Sequence, residues 1–339
     1  MEKTAQSVTY RQGDDIERAA HRTWYRGGIC NFIASKQNMR EPQAIEKYIL
    51  KGWPPNSPII SKQSKILAFG SCFARHISEY LGQRGYLVGA AREGLDTYII
   101  RCGAGMVNTF SVLQQLEWAY ENRNFSENLW YDSEKELAPY NREIRENTRR
   151  LFDQTDIFII TLGLSEVWCN RQTGEVFWRA IPQDKFNPEI HGFRVTTVDE
   201  NRDNLEKIYS VIKKHRPQAE VIFTLSPVPL VATFRPISCT TANSVSKAIL
   251  RAALDEFLRQ HPDTPDLHYW PSYEIVNNYF SDPYEDDNRH IKPEAVRVIM
   301  EMFTKYYCRS EKPKLGLPPV SKNREAGRKI NLVGGREVV

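Results

Sequence analysis

Two short runs, Asp156-Ile157-Phe158-Ile159-Ile160-Thr161-Leu162 and Glu220-Val221-Ile222-Phe223-Thr224-Leu225, are apolar at odd and even positions alike. A strand with one face in water alternates polar and apolar residues, whereas a strand without that alternation is covered on both faces. Lys65-Ile66-Leu67-Ala68-Phe69-Gly70 leads directly into a helical pattern, Tyr86-Leu87-Val88 follows the helix stop at Gly85, and Leu267-His268-Tyr269-Trp270 is a shorter fifth run. Helical patterns lie between the strands, over about 73–84, 109–122, 143–153, 199–215, 242–260 and 293–307. Strand followed by helix demands crossover connections, so the chain is expected to form an α/β fold, a three-layer α/β/α sandwich with a mostly parallel sheet. Val167-Trp168 and Val176-Phe177-Trp178, with Gln172-Thr173-Gly174 between them, predict a hairpin inserted after the central strand, in which Trp168 and Trp178 either serve packing or stack on a sugar ring.

Residues 1–64 hold Trp24, Tyr25, Phe32, Tyr48 and Trp53, an aromatic content that suits an arm packed on the body, ending at the Gly52-Trp53-Pro54-Pro55 turn. The body is expected to run over 65–308. Residues 309–339 carry eight Lys/Arg and three Glu, or +5 of the formal +4, which leaves −1 for everything before. With few apolar anchors, this basic tail is expected to be disordered. A near-neutral body is not the electrostatic footprint of a nucleic-acid reader. The six Cys form no C-x-x-C pair, which argues against a zinc site or a disulfide framework and for reduced thiols. No apolar signal core follows Met1, and the longest apolar stretch, Val221 to Phe234, is interrupted by Pro227 and Pro229. A cytoplasmic protein without a membrane span is expected, with its oligomeric state left open.

In open parallel sheets ligands bind beyond the C-terminal strand ends, which directs attention to the turns Gly70–Phe73, Gly163–Glu166 and Ser226–Pro229 and to the loop before the last helix. Cys72 falls at a helix start, where unpaired N–H groups and the helix dipole favour a thiolate and hence a nucleophile. The same position also suits a small buried hydrophobe, and Ser71 is a rival nucleophile one residue away. Asp287 and His290, three apart, allow the carboxylate to accept the imidazole Nδ1–H and leave Nε2 to take a proton. Gly163, Ser165 and Glu166 lie on the same rim, where they serve either an oxyanion pocket or a plain turn. Asn108 opens a helix, as an N-cap or as an amide aimed at substrate.

The segment Gly70-Ser71-Cys72-Phe73-Ala74 resembles the signature of the GSCFA-domain family. Asn108-Thr109-Phe110-Ser111 with Gln114-Gln115-Leu116, Leu225-Ser226-Pro227-Val228-Pro229, Tyr269-Trp270-Pro271-Ser272 and the Asp287–Pro293 loop resemble further blocks of it, so the likeness covers about residues 50–305. That family is similar to SGNH/GDSL-type esterases and acyltransferases. The resemblance implies an SGNH-hydrolase-like sandwich and an acyl-ester hydrolase or acyltransferase with a Cys72–His290–Asp287 triad. The oxyanion would be held by the Cys72 N–H with Asn108, Gly163 or Ser165, and Ser71 and Glu166 would border the substrate. Two departures stand out: Ser71-Cys72 replaces Asp-Ser, and Ser165-Glu166 replaces Asn-Asp. The substrate class implied is a small molecule or a carbohydrate, such as O-acetyl groups on polysaccharide. No metal or other cofactor is implied, and acetyl-CoA as acyl donor is left open. The missing Asp and Asn also fit a second class, a non-catalytic glycan- or partner-binding protein on a degenerate scaffold.

Overall fold

Lys65–Gly70 (β3), Leu87–Val88 (β4), Ile157–Leu162 (β5), Glu220–Leu225 (β8) and Leu267–Tyr269 (β9) form one sheet in the order β4-β3-β5-β8-β9, with every neighbouring pair parallel. The computed structural model describes residues 8–12, 16–20, 31–89, 94–101, 105–131, 138–178 and 180–309. All six residues of β5 are buried, as expected for a central strand apolar on both parities. Ahead of the sheet, Val8–Gln12 (β1) and Ile16–Ala20 (β2) pair as an antiparallel hairpin.

Helices cover both faces, giving the expected three-layer sandwich. Phe73–Gln83 (α1), Ser272–Tyr279 (α7) and Pro293–Tyr307 (α8) lie over one face, where Phe73, Ile77, Ile275, Ile299 and Phe303 meet Ile66, Ile157, Ile159 and Ile222. Over the other face lie Tyr98–Arg101 (α2), Thr109–Tyr120 (α3), Arg142–Asp153 (α4), Val198–His215 (α5) and Cys239–Gln260 (α6). Their residues Leu116, Phe152, Leu205, Leu250 and Phe257 meet Phe69, Phe158, Ile160 and Phe223. Local chemistry sets the helix starts. Asn108 and Asn141 cap α3 and α4, Thr197 and Glu200 form a reciprocal capping box on α5, and Pro293 occupies the first turn of α8.

The insertion after β5 forms the expected hairpin and adds a second partner to it. On one edge of Glu166–Asn170 (β6), the Cys169–Val176 bridge is flanked by the Asn170 N–H on Glu175 O at 2.8 Å and the Phe177 N–H on Trp168 O at 2.9 Å, and on the other edge His191–Val195 (β7) pairs along the whole strand. The turn itself forms, with Asn170 Oδ1 accepting from the N–H groups of Gln172 and Thr173 at 2.7 and 3.1 Å. The chain leaves β6 after Phe177, the Trp178 N–H donating to Leu129 O at 3.2 Å, and the Phe177 and Trp178 side chains are buried in the core. In the segment before β3, Ile45, Leu50 and Ile60 join the apolar cluster under α8, and Trp53 meets Tyr269 edge-on at 5.0 Å. The expected tail, 309–339, lies outside the described residues except for Arg309. Among the described residues no helix is long and apolar enough to cross a membrane.

Candidate active site

The chain leaves β3 for β4 on one side and re-enters on the other side of β3 as β5. Such a reversal opens a crevice beyond the C-terminal ends of the two diverging strands. The β3 end is held tightly against β5. Gly70 has φ +121°, and a Cβ there would lie 2.1 Å from Thr161 O, so only glycine fits. The Ser71 N–H donates to Thr161 O and Oγ1 at 2.9 and 2.6 Å. Ser71 Oγ lies 3.0 Å from the Thr161 hydroxyl and accepts the Phe73 N–H at 3.3 Å. Ser71 is therefore buried and committed to shaping the turn. Cys72 is half-buried at the N-cap of α1, and among the described residues no acceptor receives its backbone N–H.

Most of the other expected rim donors are engaged. The Gly163 and Leu164 N–H groups both donate to Val107 O, at 2.7 and 3.2 Å. Ser165 is fully buried, with its N–H on Ser246 Oγ at 2.8 Å and its carbonyl accepting from Thr196. Asn108 caps α3, accepting the Ser111 N–H at 2.9 Å, while its amide nitrogen makes one long bond of 3.5 Å to Trp178 O. The buried Glu166 carboxylate accepts the Thr233 hydroxyl, its oxygens lying 2.8 and 3.0 Å away. Of the four, only the Asn108 amide keeps donor capacity beyond these bonds.

The loop before α8 brings Asp287 and His290 together. Asp287 Oδ1 accepts the His290 N–H at 2.9 Å and the Arg289 N–H at 3.0 Å, and Oδ2 accepts from His290 Nδ1. These bonds, led by the His290 N–H and then its ring, hold the Asp287 carboxyl at about 2. An ionised carboxylate on Nδ1 fixes the neutral tautomer with its lone pair on Nε2, which lies 3.5 Å from Arg289 Nη1. The loop is tied to the turn after β8 by Arg289 Nε on Pro229 O at 3.4 Å and by the Tyr284 hydroxyl on Pro227 O at 3.0 Å.

No hydrogen bond joins the Cys72 thiol to His290 among the described residues. Other observations relate them. Cys72 packs on the apolar cluster that contains Val228 and Ile291, the latter next to His290. His76, one turn after Cys72, is held below the usual histidine range chiefly by burial and the Arg75 charge, with His290 close enough to add a smaller push.

One residue of the rim carries no motif. Lys247, in α6, is fully buried and donates to the carbonyls of Gly163, Ser226 and Val228 at 2.7, 2.8 and 2.8 Å. It thus clamps the turns after β5 and β8 from below. Burial pushes its ammonium down to about 7, opposed by the charge of Cys72 and assisted by that of Arg289. A signal for it does exist in the sequence: Lys247 falls on the stripe of Leu250, Leu254 and Phe257, where a solvated lysine does not belong. Among the described residues no group of three or more His, Cys, Asp or Glu is arranged to hold a metal ion.

Comparison with known proteins gives one family. The profile of the GSCFA family matches residues 65–303. No curated protein sequence matches the chain. Among solved structures, the lipase Lip_vut3 from a goat rumen metagenome aligns over 72% of this chain and 99% of its own, at 12% identity and a TM-score of 0.36. A carbohydrate esterase of family 3 from Talaromyces cellulolyticus aligns over 72% and 95%, at 10% identity and a TM-score of 0.34. A family 2 carbohydrate esterase with a carbohydrate binding domain, from Corynascus thermopiles, aligns over 74% and 67%, at 17% identity and a TM-score of 0.32.

Proposed function

The chain belongs to the GSCFA family, and from that premise we propose that it is an acyl-ester hydrolase or acyltransferase whose nucleophile is the Cys72 thiol. The observation that supports this reading is the Asp287–His290 couple, whose Nδ1 bond leaves Nε2 to take a proton, in a chain that also holds a half-buried thiol on a helix start with a free N–H. In the reaction, Cys72 Sγ attacks the ester carbonyl carbon while His290 Nε2 takes the thiol proton. The C–O bond then breaks, and His290 returns that proton to the departing alkoxide, leaving a thioester on Cys72. Water or an acceptor hydroxyl attacks next, giving its proton to His290, which passes it to the released sulfur. The Cys72 N–H, with the Asn108 amide, would hold the oxyanion. The absence of a Cys72–His290 hydrogen bond is compatible with this role, since catalytic contacts often tighten only around substrate. Substrates of this class are acyl groups on carbohydrate hydroxyls, such as O-acetyl. With acetyl-CoA as donor the same attack would break a C–S bond, and His290 would return the proton to the departing CoA thiolate.

The experiment is hydrolysis of p-nitrophenyl acetate by wild type, His290→Ala and Asp287→Asn. His290→Ala should lose about 10²-fold or more, as for loss of a general base. Asp287→Asn should lose activity in the same direction, because the tautomer is no longer fixed. Equal rates in all three would remove the imidazole from the chemistry. One observation favours a second reading, a binding protein on a degenerate scaffold: the Asp287 and His290 side chains are 46% and 54% exposed and untied to the thiol. That reading predicts no turnover in any of the three proteins.

A further inference from the structure

A cavity of about 210 Å³ opens beside the sheet edge, and its walls are apolar, formed by Val107, Leu164, Trp168, Phe177 and Leu230 with Phe234 at the lip. Trp168 meets Phe234 edge-on at 4.9 Å and Phe193 at 5.5 Å, so the lining is a continuous aromatic surface. That surface runs out to solvent, where Phe234 is 55% and Val231 78% exposed. A chain in water gains nothing from leaving such side chains open unless something covers them.

The cavity is also next to the proposed chemistry on two sides. Its inner end is Val107, Asn108 and Leu164, and the neighbouring Gly163 is so close to the turn before Cys72 that a Cβ on it would lie 3.5 Å from Ser71 Cβ. Its opposite wall begins at Leu230, one residue from Pro229, whose carbonyl takes the Arg289 side chain of the His290 loop. The polar groups along the walls are few: Glu166 takes the Thr233 hydroxyl, the Asn108 oxygen caps α3, and the Trp168 indole N–H and the Asn108 amide are the donors left over. A sugar ring carries several hydroxyls that each need a partner, more than these two donors supply, whereas an apolar group needs none. For scale, an apolar cavity of about 150 Å³ holds a benzene molecule.

We infer that this cavity is the acyl-group pocket of the site, and that it selects an apolar acyl group larger than acetyl, about the size of hexanoyl. The inference rests on the proposed acyl chemistry for its meaning, though not for its binding test. The carbonyl would sit at Cys72 with the alkyl chain running past Leu164 toward Phe234.

Two measurements test it. First, in the Cys72→Ala protein, calorimetric titration with methyl hexanoate should show binding that methyl acetate lacks, and Ala232→Phe, which fills the cavity from its wall, should weaken it. Second, in the wild type, kcat/KM on p-nitrophenyl esters should rise about fourfold per methylene from acetate to hexanoate. The hexanoate-to-acetate ratio should fall toward one in Ala232→Phe. A rate of acetate hydrolysis equal to or above that of hexanoate, with no binding of methyl hexanoate, would overturn the inference and leave thiol chemistry standing. Binding of xylotetraose in place of methyl hexanoate would overturn it too. Binding of methyl hexanoate with no acylation of Cys72 would uphold the pocket and sink the chemistry.

Discussion

Gly70→Ala tests the scaffold of the site in a single atom. The added Cβ would stand 2.1 Å from Thr161 O, a backbone oxygen of β5 that cannot swing aside as a side chain can. Residue 70 also sits at φ +121°, where a side chain is strained whatever the space. Strain at such a backbone position costs about 1–3 kcal/mol, and forcing an extra carbon into a packed interior costs another ~1–3 kcal/mol. The expected loss is thus about 4 kcal/mol, a large share of the ~5–15 kcal/mol that holds a typical domain. Urea unfolding followed by far-UV circular dichroism measures it, with Gly82→Ala as the control. Gly82 lies inside α1, and a Cβ added there would meet nothing within 4 Å, so alanine should stabilise by about 0.5–1 kcal/mol. Because β3 delivers Cys72, a surviving Gly70→Ala fold should also alkylate that thiol at an altered rate. A Gly70→Ala protein less than about 1 kcal/mol weaker than wild type would mean that β3 does not end against Thr161, and the described crevice would be wrong.

Thr161→Val removes the hydroxyl that serves Ser71 N–H and Oγ while keeping the side-chain volume, and should cost about 1–3 kcal/mol in the same urea assay. Lys247→Met should flatten the pH dependence of stability. The folded ammonium is depressed to about 7 from 10.5, so the unfolded chain binds more protons between those values and wild-type stability rises with pH across that window. Taken whole, that gap gives a ceiling of about 5 kcal/mol, reduced by the carbonyls that solvate the charged form. Melting curves from pH 7 to 10 should therefore climb for wild type relative to Lys247→Met, and parallel curves would show that Lys247 does not titrate in the fold.

The sheet is legible in the sequence because its central strands are apolar on both parities and each helix carries its own stripe, so the β-α alternation survives without tertiary information. The hairpin is legible too, from its turn and its first pairs, with Phe177 N–H on Trp168 O and Asn170 N–H on Glu175 O beside the Cys169–Val176 bridge. The other edge of β6 is not, because nothing local says that the distant His191–Val195 pairs along it. The short helix α7 is hidden as well, because Pro271 and its aromatic neighbours mask the period. Within the site, Asp287 and His290 are readable from spacing, since both lie within one turn of chain. The roles of Ser165 and Gly163 are not, because Ser246 and Val107, which occupy their N–H groups, come from other elements. Lys247 escapes a motif search because its three acceptors lie on two separate turns that only the fold brings together.

Mass spectrometry of the protein trapped by acid seconds after mixing with p-nitrophenyl hexanoate bears most directly on the thiol as nucleophile. A single hexanoyl group should appear on the peptide carrying Cys72 and be absent from Cys72→Ala. An unmodified Cys72 peptide, together with undiminished ester turnover by Cys72→Ala, would contradict the account.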